Sequence, residues 1–299
     1  MKEKTGKHRR IPEPLEELDA YLHASEASVA GLRKACEKKI VWHHQQRQRD
    51  LSIVYLHGFS ASRMETWPLC DRLAHAIGAN LFYTRLTGHG QDGQAMAAAT
   101  MQDWLEDAQE AIQIGKKLGK RIVLIGTSTG GTLATWLASQ VDVEPFIHRL
   151  ILISPNFLPK NPISAITLLP AGVRILNRLF GNWKAFTVTN EEQANYWTAR
   201  YPFTAITPMM QLVWLSWKVE LTNAAMPVLM LLNPQDRVIN VTLAKMRFSA
   251  FPSKYNQMLL FRENKDVGRH VLAGQMMAPE GTAKAQRYIQ AFVTDRSLR

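Results

Sequence analysis

Cysteine is scarce in this chain of 299 residues, which has only Cys36 and Cys70. Two thiols cannot build the disulfide framework of a small stapled fold, and without C-x-x-C spacing they form no metal or redox motif. Long apolar runs are missing as well. No stretch approaches the roughly 18 residues a membrane-spanning helix needs, the best candidates being broken by Pro170, Gly172 and Arg174 or by Ser216 and Lys218. The basic N-terminus lacks the apolar segment and small-residue cleavage site of a secretory leader, so a cytoplasmic protein is expected. His43 and His44 are adjacent, but neighbours on a strand point to opposite faces, which makes a poor metal pair. No metal centre is expected.

Acids are outnumbered by bases, 25 to 36, for a formal charge of +11. Nucleic-acid binding is not expected from this, because no basic motif interleaved with aromatics is present. Residues 2 to 10 carry five Lys or Arg against one Glu. The charge is therefore concentrated in a tail, whose one expected partner is a weakly bound anionic membrane surface.

What the chain does have is apolar content, 46% of its residues, enough for a large α/β domain with an inserted subdomain. Leu15, Leu18 and Leu22 predict a short amphipathic helix packed on the main body. Segments 39–47, 51–56, 80–83, 121–125, 150–154, 227–232 and 257–261 read as strands. Helices are expected over 62–77, 101–118 and 282–292, with Asp103, Glu106 and Glu110 on the outer side of the second. This alternation predicts a mostly parallel sheet covered on both faces. It stops between Pro155 and Ala225, where a helical lid is expected. Thr189 with Glu192 predicts a capping box there, and Thr207-Pro208 the start of a further helix. That helix is apolar nearly all round and must bury a second face, so Met209 and Trp214 are expected to wall an apolar substrate pocket. The expected division is a tail and helical segment over 1–37, a core over 38–155 and 226–299, and the lid over 156–225.

Gly126-Thr127-Ser128-Thr129-Gly130 lies where an apolar strand passes into a helix. A turn this tight strains its central residue and lifts the hydroxyl above the sheet, and small residues two positions away on either side let the chain pass. A serine needs a base, and the base needs a carboxylate to orient it. Asp236 follows the strand over 227–232. His270 follows the strand over 257–261, and no other histidine lies beyond His148. Asp266 is nearer in sequence to His270 but shares its loop, so Asp236 is the expected partner. The amides of Phe59 and Thr129 are the expected oxyanion donors, with Gly58 permitting close backbone approach to a substrate.

Leu56-His57-Gly58-Phe59, the Ser128 turn, Asp236 and His270 in that order resemble the α/β-hydrolase superfamily over residues 38–295. Leu86-Thr87-Gly88-His89-Gly90 is similar to the Gly-His-Gly loop of its carboxylesterase and monoacylglycerol-lipase-like branch. The resemblance implies a mostly parallel sheet with an inserted lid, a Ser-His-Asp mechanism on ester bonds without a cofactor, and His89 near the pocket. The expected substrate is a small-molecule ester with an apolar acyl group or a monoglyceride. Thioester or amide cleavage would use the same parts, while a non-catalytic ligand-binding member of the fold would carry a broken triad. The first forty residues have no counterpart in that branch.

Overall fold

The computed structural model describes residues 10–262 and 267–297. Most of the basic tail, and the rival acid Asp266, lie outside the described residues. In chain order the first half runs α1 (Leu18–Ala27), β1 (Lys39–Val41), β2 (Arg49–Leu56), α2 (Leu69–Ile77), β3 (Asn80–Tyr83), α3 (Gly93–Ala98), α4 (Met101–Leu118), β4 (Gly119–Thr127) and α5 (Thr129–Ala138). It continues with β5 (Ile147–Ile153), α6 (Gly172–Phe180), β6 (Trp183–Ala185), α7 (Glu191–Tyr196), β7 (Arg200–Pro202) and α8 (Ile206–Lys218). The chain ends with β8 (Val228–Leu232), α9 (Val241–Phe248), β9 (Gln257–Leu260) and α10 (Pro279–Thr294).

Seven strands form one sheet in the order β1-β3-β2-β4-β5-β8-β9, parallel throughout except for β1 against β3. Successive residues of the central strands point to opposite faces, and each face has its own core. Val54, Leu124 and Leu152 join the core that holds Trp104 of α4 and Leu133 of α5. Ile53, Val123 and Ile151 meet Leu73 of α2 and Ile289 of α10 on the other side. This is the α/β-hydrolase architecture the sequence predicts. Both cysteines are buried free thiols. Among the described residues no helix is long and apolar enough to cross a membrane.

Several local expectations need correction. The strand expected over 39–47 ends at Val41, because His44 takes a positive φ and the Arg49 guanidinium donates to the His43 carbonyl, turning the chain. Glu110 is not on an outer face. It is buried, accepting from Lys38 Nζ at 2.5 Å and from the Tyr21 hydroxyl at 2.8 Å. These two partners come from the N-terminal segment, which is why the periodicity of α4 alone misplaces it. The cap of α7 is Asn190, which accepts from the Gln193 amide at 2.7 Å, while the Gln193 side chain reaches back to the Thr189 amide at the same distance. The capping pair is therefore one residue later than Thr189 and Glu192. α8 starts at Ile206 from an Ala205 N-cap, so Thr207-Pro208 lies inside its first turn.

Between β5 and β8 the chain leaves the sheet for α6, α7, α8 and the antiparallel ribbon β6-β7. One side of α8, with Met210, Leu212 and Val213, is buried in the core that also holds Leu133 of α5. The N-terminal segment reaches the same inserted region through Arg33, which donates to the carbonyls of Gly90 and Trp197 and to Thr198 Oγ1.

Candidate active site

The parallel sheet delivers four chain segments to the carboxyl ends of its strands, the position where open α/β sheets hold their ligands. β4 ends at Thr127, and Ser128 follows with φ 53 and ψ −117, a conformation an ordinary side chain adopts only when its surroundings enforce it. The enforcement is visible in bonds on both sides. Ser128 N–H donates to Ile153 O at 2.9 Å, and Ser128 O accepts from Gly131 and Asn156 at 2.9 and 3.0 Å. A Cβ at Gly130 would meet Leu56 O at 2.0 Å, and one at Gly126 would meet Gly130 O at 2.3 Å. Gly130 thus lets the turn lie close to the end of β2, and Gly126 lets it fold back on itself.

His270 and Asp236 come from the loops after β9 and β8. His270 Nδ1 lies 2.7 Å from Asp236 Oδ2, and the Asp236 side chain is fully buried. Its other oxygen accepts the Val238 and Ile239 amides at 2.7 and 3.0 Å, so the carboxylate has a fixed orientation. The loop carrying the histidine is held by Ser154 Oγ donating to His270 O at 2.8 Å and by Arg237 N–H donating to Gly268 O at 2.8 Å. Nδ1 thus faces Asp236, and Nε2 lies on the opposite side of the ring.

Ser128 and His270 line one cavity of about 360 Å³, with Gly58, Phe59 and Asn156 on the sheet side and Trp197, Tyr201, Ile206 and Met209 on the inserted side. Thr129 opens α5, where the first amides have no intrahelical acceptor. Among the described residues, neither its N–H nor that of Phe59 takes a backbone acceptor in the surrounding turns and loops. A wider surface groove of about 470 Å³ lies between α1 and β1, far from this chemistry.

Two expected pocket residues are elsewhere. Trp214 is 59% exposed with Lys218 Nζ over its ring, on a part of α8 turned away from the cavity. His89 is fully buried behind Phe59, its ring packed on those of His57, Phe59 and Trp104. It supports the wall and presents no surface to the cavity. His57 is also structural. Its Nε2 accepts from the Leu86 amide at 3.1 Å, its Nδ1 lies 2.9 Å from Gly58 O, and burial pulls its pKa down to about 4, so it is neutral.

One residue of the site went unnoticed in the sequence. Glu65 lines the cavity, and its Oε1 accepts from Gly58 N–H at 2.6 Å and from the Tyr55 hydroxyl at 2.8 Å. Burial pushes its pKa up to about 7, against the lowering effect of these two bonds and of His270. Its only sequence signal is a lone acid seven residues after Gly58, in a segment read for its apolar spacing.

Known proteins resemble this chain in sequence and in fold. A thermostable monoacylglycerol lipase of Bacillus sp. (strain H-257) is 25% identical over 226 residues, covering 73% of this chain and 83% of that protein. Among solved structures, one from a study of the metagenome-derived lipolytic enzymes LipS and LipT superposes with a TM-score of 0.70 at 18% identity, over 88% of this chain and 98% of its own. A soluble variant of the Saccharomyces cerevisiae monoglyceride lipase, in complex with a substrate analog, superposes with a TM-score of 0.64 at 14% identity, over 86% and 90% of the two chains. Residues 47–265 match the hydrolase family described as serine aminopeptidase, S33. That match spans most of the chain, which therefore belongs to this family of α/β serine hydrolases.

Proposed function

We propose that this protein is a serine carboxylic-ester hydrolase acting on acyl esters of the monoacylglycerol kind, with the segment between β5 and β8 as its lid. The observation that carries the reading is the strained Ser128 facing the same cavity as His270, whose Nδ1 is held at 2.7 Å by the buried Asp236. Ser128 Oγ attacks the acyl carbon while His270 Nε2 takes its proton. Asp236 stabilises the imidazolium, and the Phe59 and Thr129 amides hold the oxyanion. The imidazolium then protonates the departing alkoxide. Water, deprotonated by the same histidine, attacks the acyl-enzyme and releases the acid.

An apolar acyl group is supported by the cavity wall of Phe59, Trp197, Tyr201, Ile206 and Met209. The outer face of the inserted segment exposes Leu169, Ile175, Leu179, Phe180, Trp183 and Trp214, suiting a substrate presented at a lipid surface. The monoacylglycerol lipase relative points the same way.

The family's description includes aminopeptidases, which must bind a substrate ammonium. Among the described residues Glu65 is the one acid on the cavity wall, and it is protonated up to about pH 7, while Lys184 and Arg237 add positive charge. This balance favours esters over N-terminal amines. The test is a panel of p-nitrophenyl esters, monoacylglycerols, acyl thioesters and aminoacyl anilides assayed with the wild type and Ser128→Ala. Ester turnover that disappears in the variant is expected; turnover confined to the anilides, or unchanged in the variant, sinks the proposal.

A further inference from the structure

Glu65 arrives from the short turn Arg63–Glu65 and not from a strand end, and the Ser-His-Asp steps give it no task. Its carboxyl nevertheless sits at the junction of the parts that must cooperate. The Tyr55 hydroxyl that donates to Glu65 Oε1 is also 3.0 Å from Thr127 Oγ1. A continuous polar path therefore runs from Thr127, the residue before the nucleophile, through Tyr55 and Glu65 to the amide of Gly58, the residue before the oxyanion donor Phe59. Glu65 Oε2 lies along the same gap, since a Cβ on Gly58 would meet it at 3.0 Å and Ser128 Cβ at 3.2 Å. The loop beyond His270 closes over the turn as well: a Cβ on Gly274 would meet Glu65 O at 2.3 Å, and Gln275 N–H donates to Trp67 O at 2.7 Å.

We infer that Glu65 is a positioning residue of the hydrolytic site, its carboxyl locking the Gly58-Phe59 backbone to the Thr127-Ser128 elbow. The inference rests on the serine-hydrolase reading above. Two bonded strands, β2 and β4, already fix the elbow and the oxyanion strand to within their own flexibility. What they leave free is the backbone just past their ends, and that is where Glu65 attaches. The carboxyl does this best without charge, because a carboxylate would place a negative charge beside the oxygen that becomes anionic in the tetrahedral intermediate.

The titratable groups facing Glu65 are Tyr55 of β2, Cys70 of α2 with Asp71 beside it, and His270 with its partner Asp236. Burial raises Tyr55 and Cys70 well above their usual range, so both stay neutral near pH 7. The groups whose charge matters to catalysis are then His270, which must be a free base, and Glu65, which must keep its proton.

The experiment is steady-state ester hydrolysis by the full chain from pH 5.5 to 9, comparing wild type, Glu65→Gln and Glu65→Ala, with circular dichroism on each. Gln keeps an Oε1 acceptor for Gly58 N–H and Tyr55 O–H and is neutral at every pH. Wild type is expected to decline in kcat/KM as pH rises past about 7; Glu65→Gln is expected to hold kcat within about threefold of wild type at pH 6 and to lack that decline. Glu65→Ala is expected to lower kcat by about tenfold or more with KM within about twofold. Tyr55→Phe cuts the path at its Thr127 end without a cavity, and a smaller loss in kcat, about threefold, is expected. A Gln variant no better than the Ala variant, an alkaline limb unchanged in Glu65→Gln, or wild-type kcat in Glu65→Ala each overturns the assignment. These outcomes differ from failure of the underlying reading, which would show as no Ser128-dependent ester turnover by the wild type.

Discussion

Arg85 and Glu26 form a buried two-point ion pair, Nε to Oε2 at 2.6 Å and Nη2 to Oε1 at 2.9 Å, with each side chain only 7% exposed. Glu26 closes α1, and Arg85 begins the loop that leads to His89 and the back of Phe59. Glu26 Oε2 also accepts the Lys38 amide at 2.9 Å. The N-terminal segment is thus part of the scaffold under the site. Removing one partner strands the other charge in the interior, so Glu26→Ala is expected to cost about 3–5 kcal/mol of stability, while Glu26→Met with Arg85→Met recovers most of it. Chemical denaturation checks both; a single variant as stable as wild type would show that water already reaches the pair.

In the proposed mechanism the Asp236 carboxylate, 2.7 Å from His270 Nδ1, sets both the tautomer and the tilt of the ring. Asp236→Asn keeps the volume but offers an amide where Nδ1–H needs an acceptor, and the ring is then free to present its other tautomer to Ser128. A fall in kcat of about 10³ to 10⁴, with KM changed little, is expected. Stopped-flow acylation with a p-nitrophenyl ester measures it directly, and a loss under tenfold would mean that another acceptor, not Asp236, orients the base.

The mostly parallel sheet was legible in the alternation of strands and helices, and the strand-end positions of Ser128, Asp236 and His270 in local signals: a glycine-flanked serine, an acid after one strand, a histidine after the next. Contacts that depend on segments distant in sequence were not. Glu110 reads as an outer-face residue of α4 until Lys38 and Tyr21 are brought over it. The family resemblance puts His89 near the pocket, but its ring finds three aromatic neighbours and turns inward. Glu65 was invisible because the place of its carboxyl depends on Tyr55, Gly58 and His270 converging on it, and no periodicity encodes that convergence.

A carboxyl held protonated in the native state leaves a mark on stability. Burial pushes the pKa of native Glu65 up to about 7 from the ordinary 4.5. Between these values the folded chain holds a proton that the unfolded chain has released, so stability falls as pH rises through that window. The cost is complete above it and on the order of 3 kcal/mol. Glu65→Gln has no proton to lose. The stability difference between pH 5 and pH 8, measured by urea unfolding, is therefore expected to be smaller in Glu65→Gln than in wild type by roughly 2–3 kcal/mol. Parallel pH dependences in the two proteins would place the carboxyl in contact with solvent.

Met209 and Trp214 share α8 but not its direction. Five residues at about 100° each separate them by roughly 140° around the axis. Met209 meets the cavity while Trp214 stands 59% exposed. For a water-soluble ester, loss of an apolar wall contact weakens transition-state binding by about 1–3 kcal/mol, so Met209→Ala is expected to lower kcat/KM for short acyl chains by about tenfold and to shift preference toward longer ones that fill the space. Trp214→Ala is expected to leave those constants within about twofold, since nothing of the dissolved substrate reaches it. Met209→Trp sharpens the contrast: the added volume takes space from the cavity of about 360 Å³ that it lines with Phe59 and Tyr201, and long acyl chains are expected to be excluded first. Chain-length profiles of the three variants decide the matter, and a Trp214→Ala profile that moves with that of Met209→Ala would mean that α8 rotates when substrate binds.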